Sequence, residues 1–231
     1  MQIQGFQKTT LLDYPGFVAA TIFLGGCNFR CSFCHNKGLV LTPQEVPMLD
    51  EEEVLAHLKK RKNILDGVCV SGGEPTLQPE LPCFLTKIKA LGFKVKLDTN
   101  GYQPQILRSL YKEKLLDYVA MDVKGAPEQY DKIVGIKNLD RTKIQESMEL
   151  LMSQEVPYEF RTTVVKELHS EQNLLDVAKW IRGAKAYYLQ NYKDSPEVIQ
   201  PGFHGYSLEQ LKEMAKHIRE IVPQTHVRGE I

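Results

Sequence analysis

The sequence predicts an α/β fold built on a parallel sheet with crossover helices, and three observations carry that reading. Short β-branched and aromatic runs alternate with amphipathic stretches about six times along the chain. No low-complexity linker divides it, so residues 1–231 read as a single domain. Polar or glycine-rich motifs recur just after the strand candidates, at the end where α/β sheets and barrels gather their binding groups. A doubly wound sheet and a barrel, full or partial, both fit the alternation.

Taken in order, the first strand candidate is Phe17–Leu24, which runs into Cys27. The amphipathic segment Asp50–Lys62 follows, with Asp50 as N-cap and Glu53 three residues on to close a capping box. Gly67–Ser71 leads into Gly72-Gly73-Glu74-Pro75 and the helix Glu80–Leu91. Lys94–Asp98 leads into Asp98-Thr99-Asn100-Gly101 and the helix Pro104–Tyr111. Tyr118–Val123 is closed by Asp122-Val123-Lys124, with a helix over Arg141–Ser153. Tyr158–Val165 contains Arg161-Thr162-Thr163 and precedes the helix Glu171–Gly183. Ala186–Gln190 runs into Gln190-Asn191-Tyr192, and a last helix spans about Ser207–Ile221, with Ser207 and Gln210 as a second capping box.

Composition narrows the partners and the compartment. A chain of 231 residues buries a core that needs no covalent staple. With 29 basic and 29 acidic residues, and no block of either sign, nothing in it predicts a nucleic acid partner. The opening "MQIQGFQKTT" lacks the basic-then-apolar layout of a signal peptide. No run approaches the roughly 18 apolar residues of a membrane-spanning helix. The expectation is a cytoplasmic protein with no membrane partner.

Five cysteines is an odd count, and Cys27, Cys31 and Cys34 fall within eight residues. A disulfide framework would spread an even number along the chain, so thiolates free to bind metal are the better reading. A structural zinc site needs four ligands. His35 adjoins Cys34, and neighbouring side chains seldom reach one tetrahedral centre. A cubane iron–sulfur cluster suits the spacing better: three thiolates leave its fourth iron open, as a catalytic site requires. Cys69 and Cys83 stand alone and are expected to be small buried hydrophobes, so one cluster is expected. His57, His169, His204, His217 and His226 have no ligand spacing and read as surface or packing residues. Trp180 and the Tyr187-Tyr188 pair read as core.

Cys27-x3-Cys31-x2-Cys34, with Phe33 just before the last cysteine, resembles the signature of radical S-adenosylmethionine enzymes. The resemblance implies a partial (β/α)6 TIM-like barrel. It also implies one 4Fe-4S cluster on Cys27, Cys31 and Cys34, whose open iron is chelated by the amino and carboxylate groups of S-adenosylmethionine. An electron from the reduced cluster then cleaves the sulfonium, and the 5′-deoxyadenosyl radical abstracts a hydrogen atom. Gly72-Gly73-Glu74-Pro75 resembles the segment that binds the methionyl amino group. Glycine there lets a backbone approach a ligand, and Glu74 offers an acceptor. The cofactor contacts implied in this way are Phe33, His35, Gly72, Gly73, Glu74, Asp98, Asn100, Asp122, Lys124 and Arg161.

"GFQKTTLLDYPGFVAATIFLGGCNFRCSFCHN" resembles, more narrowly, the start of the activating enzymes of glycyl radical enzymes. The likeness is greatest to the longer activators of anaerobic ribonucleoside-triphosphate reductase, and pyruvate formate-lyase activators share the motif order. A glycyl radical enzyme is the implied protein substrate, and flavodoxin or ferredoxin the implied electron donor. Asp122 and Lys124 alternate along one strand and so share a face, where they suit the ribose hydroxyls and carboxylate of the cofactor. Arg161 supplies a fork for a carboxylate. Asp98 and Asp122 are a candidate site for a monovalent cation, as in the pyruvate formate-lyase activator. That activator's Pro-aromatic-His after the sixth strand is replaced here by Leu189-Gln190-Asn191-Tyr192, which leaves Gln190 or Asn191 for the histidine's role and favours the reductase branch. The short, cysteine-free Asn36–Leu49 stretch implies neither a second cluster module nor a long lid. The alternative is a radical enzyme acting on a small molecule, such as a 7-carboxy-7-deazaguanine synthase. Those enzymes usually carry Glu at the position of Asp98 and lack the "KTTLLDYPG" opening.

Overall fold

The computed structural model describes residues 1–228. Its sheet has eight strands: β1 (Ile3–Thr10), β2 (Ala19–Leu24), β3 (Gly67–Gly72), β4 (Lys94–Thr99), β5 (Tyr118–Asp122), β6 (Tyr158–Val164), β7 (Tyr187–Asn191) and β8 (Thr225–Arg228). They lie side by side in chain order, β1 antiparallel to β2 and every later pair parallel. That order decides between the architectures the sequence leaves open. A doubly wound sheet reverses its strand order at a switch point. Right-handed crossovers repeated without reversal put every helix on one face, which is the barrel arrangement. No pairing joins β8 to β1 among the described residues, so the barrel is partial.

The helices are α1 (Lys37–Leu41), α2 (Glu51–Lys60), α3 (Leu81–Ala90), α4 (Pro104–Lys112), α5 (Tyr130–Val134), α6 (Thr142–Ser153), α7 (Glu171–Trp180) and α8 (Leu208–Arg219). None is long and apolar enough to cross a membrane among the described residues. Alternation along the strands splits the sheet into two faces. Ile22, Val70, Val95, Leu97, Val119, Met121 and Phe160 are buried in one apolar cluster with Leu85, Leu107, Met148, Leu174 and Leu211 of the helices. The opposite face carries Cys69, Ser71, Lys96, Asp98, Asp122, Glu159 and Arg161, and the parallel register sets Asp122 beside Arg161. The loop between β1 and β2 closes the N-terminal end of this polar interior. Tyr14 is buried there, its ring 4.9 Å from that of Phe17 and 6.0 Å from that of Tyr118.

Both expected N-caps form, but the Asp50–Glu53 pair makes only the cap half of the expected box. The Asp50 carboxylate accepts the amides of Glu52 and Glu53 at 2.7 and 3.2 Å. At Ser207 the reciprocal box with Gln210 is complete. Cys83, expected to be buried, is exposed on α3. Cys69 is buried, but its thiol meets Lys96 on the polar face rather than apolar neighbours.

Candidate active site

The thiols sit on the loop after β2. Gly26, with a positive φ of 84°, turns the chain out of the strand, and its amide reaches the Leu39 carbonyl at 2.8 Å. From outside, the Arg30 amide binds the Val134 carbonyl at 2.8 Å, and its guanidinium caps the carbonyls of Cys27 and Phe29. Cys27, Cys31 and Cys34 thereby line one cavity of about 180 Å³. Every cofactor contact implied by the sequence lines the same cavity except Glu74.

The Gly72–Pro75 turn is packed against the cysteine loop. The Glu74 amide reaches the Gly26 carbonyl at 2.8 Å, and a Cβ on Gly73 would stand 1.9 Å from that oxygen. Gly72, at φ +115°, offers its carbonyl to the Asn36 side chain at 2.7 Å. Glu74 corrects an expectation. Its carboxylate is buried and accepts from the Thr76 amide and hydroxyl, the Thr99 hydroxyl at 2.8 Å and the Asn100 amide at 2.6 Å. It therefore ties the end of β3 to the end of β4 and turns no acceptor toward a ligand. Asn100, held by Glu74, directs its side-chain NH2 to Asn28 Oδ1 at 2.8 Å, with the Cys27 sulfur 3.9 Å away.

Charged groups form a chain across the cavity floor. Arg161 joins both aspartates, its Nε 2.8 Å from Asp122 Oδ1 and an Nη1 3.3 Å from Asp98 Oδ2. Lys124 Nζ is 2.9 Å from Asp122 Oδ2, and Lys96 pairs with Asp98 Oδ1. Burial works against charge on each aspartate, but Arg161 first, then Lys124 for Asp122 and Lys96 for Asp98, outweigh it and hold both carboxyls below their ordinary range. Lys96 and Arg161 are buried and Asp98, Asp122 and Lys124 half-buried, so these are not surface salt bridges. All four carboxylate oxygens already face protein cations, so the expected monovalent cation finds no free ligand set here.

The thiols suit a cluster better than a single ion. Among the described residues no three His, Cys, Asp or Glu side chains converge as ligands of one metal ion. The cysteines instead surround a void, as a cluster offering each thiolate its own iron requires. The Phe29 amide points at Cys27 Sγ from 3.3 Å and the Asn36 amide at Cys34 Sγ from 3.4 Å, contacts of the kind that tune cluster sulfurs. Burial foremost pushes the Cys27 thiol up to about 11 and the Cys31 thiol to about 12. Metal binding must therefore displace their protons. His35 turns away to the Lys193 carbonyl at 2.6 Å and is not a fourth ligand.

Two features were not read from the sequence. His169 is fully buried, its Nδ1 accepting the Val165 amide at 3.1 Å and its Nε2 2.7 Å from the Lys124 carbonyl, so it fixes the backbone that presents Lys124. Residues 192–206 form a long loop whose Ile199 and Gln200 amides reach the Cys34 and Ser32 carbonyls at 3.0 and 2.8 Å. It buttresses the cysteine loop without lining the cavity. Asn191 is spent on Tyr206, and neither Gln190, Asn191 nor Tyr192 lines the cavity.

The model of the Radical SAM superfamily matches residues 21–181. A Methanocaldococcus jannaschii protein whose name places it among glycyl-radical enzyme activating enzymes is 33% identical over 195 residues, which cover 83% of this chain and 80% of that protein. The pyruvate formate-lyase-activating enzyme of Clostridium pasteurianum is 33% identical over 145 residues, 58% of this chain and 57% of that one. Among solved structures, Streptococcus suis SuiB bound to S-adenosylmethionine superposes with a TM-score of 0.69 at 15% identity, over 88% of this chain and 48% of SuiB. This chain thus spans about half the length of that structure, and the likeness is one of fold.

Proposed function

The chain belongs to the radical SAM superfamily, with the glycyl-radical enzyme activating enzymes, and from this we propose how its residues serve that chemistry. Cys27, Cys31 and Cys34 would hold one 4Fe-4S cluster, and the groups at the ends of β3 to β6 would hold S-adenosylmethionine. Bound together, the two supply a 5′-deoxyadenosyl radical that takes a hydrogen atom from a glycine of the partner protein. The bare backbone of Gly72 and Gly73 lets the methionyl group approach closely. Lys124 and Arg161 present positive charge to its carboxylate, and Asp122 holds both in place. Glu74 acts one step back, by fixing Asn100 beside Cys27. Phe33 and His169 pack edge to face at 6.1 Å and stiffen the last turn of the cysteine loop.

The observation that carries this reading is convergence: groups from the ends of four different strands meet the three thiols in one cavity. A glycyl radical enzyme is the substrate, anaerobic ribonucleoside-triphosphate reductase the first candidate, and flavodoxin or ferredoxin the donor. Asp98, rather than Glu, supports this assignment over a small-molecule substrate. The test is anaerobic incubation of the reconstituted protein with S-adenosylmethionine, reductant and candidate partners. The expected result is 5′-deoxyadenosine together with a glycyl radical signal by electron paramagnetic resonance. Cofactor cleavage with no radical on any glycyl radical enzyme would overturn the substrate assignment.

A further inference from the structure

Lys96 stands two residues before Asp98 on β4 and so on the same face. Its side chain is 1% exposed, an environment lysine rarely occupies unless paired. The ammonium meets Asp98 Oδ1, the Cys69 thiol at 3.7 Å and, at 6.0 Å, the ring of Tyr118. It lies behind the cavity and not in its lining. A buried ammonium is costly to desolvate, and an apolar residue would fill the same space without that penalty. Its position explains the expense. Asp98 Oδ2 takes the Ser71 hydroxyl at 3.1 Å and Arg161 at 3.3 Å, whereas Oδ1 has Lys96 alone. Without Lys96, an open carboxylate oxygen would face a buried void near a second carboxylate, Asp122, across a shared arginine. Such a place attracts a small cation.

We propose that Lys96 is a built-in counter-ion, holding the position a monovalent metal ion would otherwise take and freeing the site from dependence on sodium or potassium. It is a positioning residue: Lys96 holds Asp98, Asp98 and Asp122 hold Arg161, and Arg161 faces the cavity. The floor and the layer behind it then carry three positive groups, Lys96, Arg161 and Lys124, against two negative ones, Asp98 and Asp122, while Glu159 on the same face is balanced by Arg228. The single surplus positive charge matches one ligand carboxylate, and this last step rests on the binding of S-adenosylmethionine proposed above.

Reconstituted wild type and Lys96→Ala are compared in potassium, sodium and choline chloride at equal ionic strength. Thermal unfolding and S-adenosylmethionine affinity by equilibrium dialysis are measured. Wild type should show the same midpoint and affinity in all three salts. Lys96→Ala should bind at least ten-fold more weakly in choline, with unchanged iron content, and recover in potassium or sodium. A wild type whose midpoint or affinity rises with either metal ion overturns the proposal. So does a Lys96→Ala protein that binds like wild type in choline, or one that neither ion rescues. Should the variant fold poorly, the wild-type salt comparison decides alone. If wild type binds no S-adenosylmethionine, the functional reading fails, while the unfolding midpoints still judge Lys96.

Discussion

At the scale of the residue, what separates a ligand cysteine from a packed one here is the set of groups its sulfur meets. Cys27 and Cys34 receive backbone amides and open on a cavity; Cys69 faces the Lys96 ammonium behind that cavity, and Cys83 faces solvent. Replacing any one of Cys27, Cys31 or Cys34 by alanine should reduce iron to near background after anaerobic reconstitution. Cys69→Ala and Cys83→Ala should keep about four irons per chain, on the cubane reading. Full iron in Cys31→Ala would sink the assignment. His169 makes a pH prediction. Burial lowers its pKa, and the Val165 amide donating to Nδ1 requires that nitrogen to be unprotonated. The folded state therefore binds fewer protons than the unfolded chain, whose imidazole titrates near about 6.5. The contribution to stability is fully present above that value and is lost as pH falls through it toward the lower folded pKa. In thermal melts, wild type should lose more stability than His169→Gln over the acid side of that window. Parallel curves for the two proteins would remove His169 as the cause.

At the scale of the element, the six parallel strands around the cavity and their helices were legible because each strand has a buried apolar face and each major helix an amphipathic one. The misses have physical causes. β1 reads "IQGFQKTT", polar because much of this edge strand is exposed. β8 is four residues long, and α1 and α5 five each, too short for a period to show. In the site, types and spacings revealed which residues gather, but not which way they point. Glu74 looks like a ligand acceptor in sequence, and only the packing of Thr76, Thr99 and Asn100 around it shows otherwise. Lys96 on a strand looks like a solvated residue until the partial barrel closes round it. The Gly72–Pro75 turn is tightly built. A Cβ on Gly73 would meet the Gly26 backbone at 1.9 Å, and neither chain is a flexible side chain that could swing aside. Gly73→Ala should thus cost at least the roughly 1–3 kcal/mol of an overpacked site. Because Gly26 borders Cys27, it should also lower iron content, which Cys83→Ala, far from that contact, should leave unchanged. Normal melting and normal iron in Gly73→Ala would show that the turn moves more freely than this packing allows.

At the scale of the whole molecule, the partial barrel leaves its charged interior accessible from the C-terminal ends of the strands, and that opening bears on the substrate. A carbon radical generated there must be kept from water and from the protein's own side chains, so the site has to be closed when it forms. Among the described residues little closes the site. The Asn36–Leu49 stretch folds into α1 and a short turn, and the 192–206 loop is committed to bracing the cysteine loop from outside the cavity. A partner that inserts an extended peptide would complete the enclosure. Glycine suits the inserted position, since no side chain blocks its approach and the flanking amides weaken its Cα–H bond. With a glycyl radical enzyme deuterated at the Cα of its radical glycine, one deuterium should therefore appear in 5′-deoxyadenosine. A peptide copying that loop should transfer label too, more slowly because it must pay the ordering entropy that the folded partner has already met. Isolated free glycine should transfer none, having no chain to close the mouth. Label transfer from a small heterocyclic substrate, and from no glycyl radical enzyme, would show that the opening admits a free metabolite and not a loop.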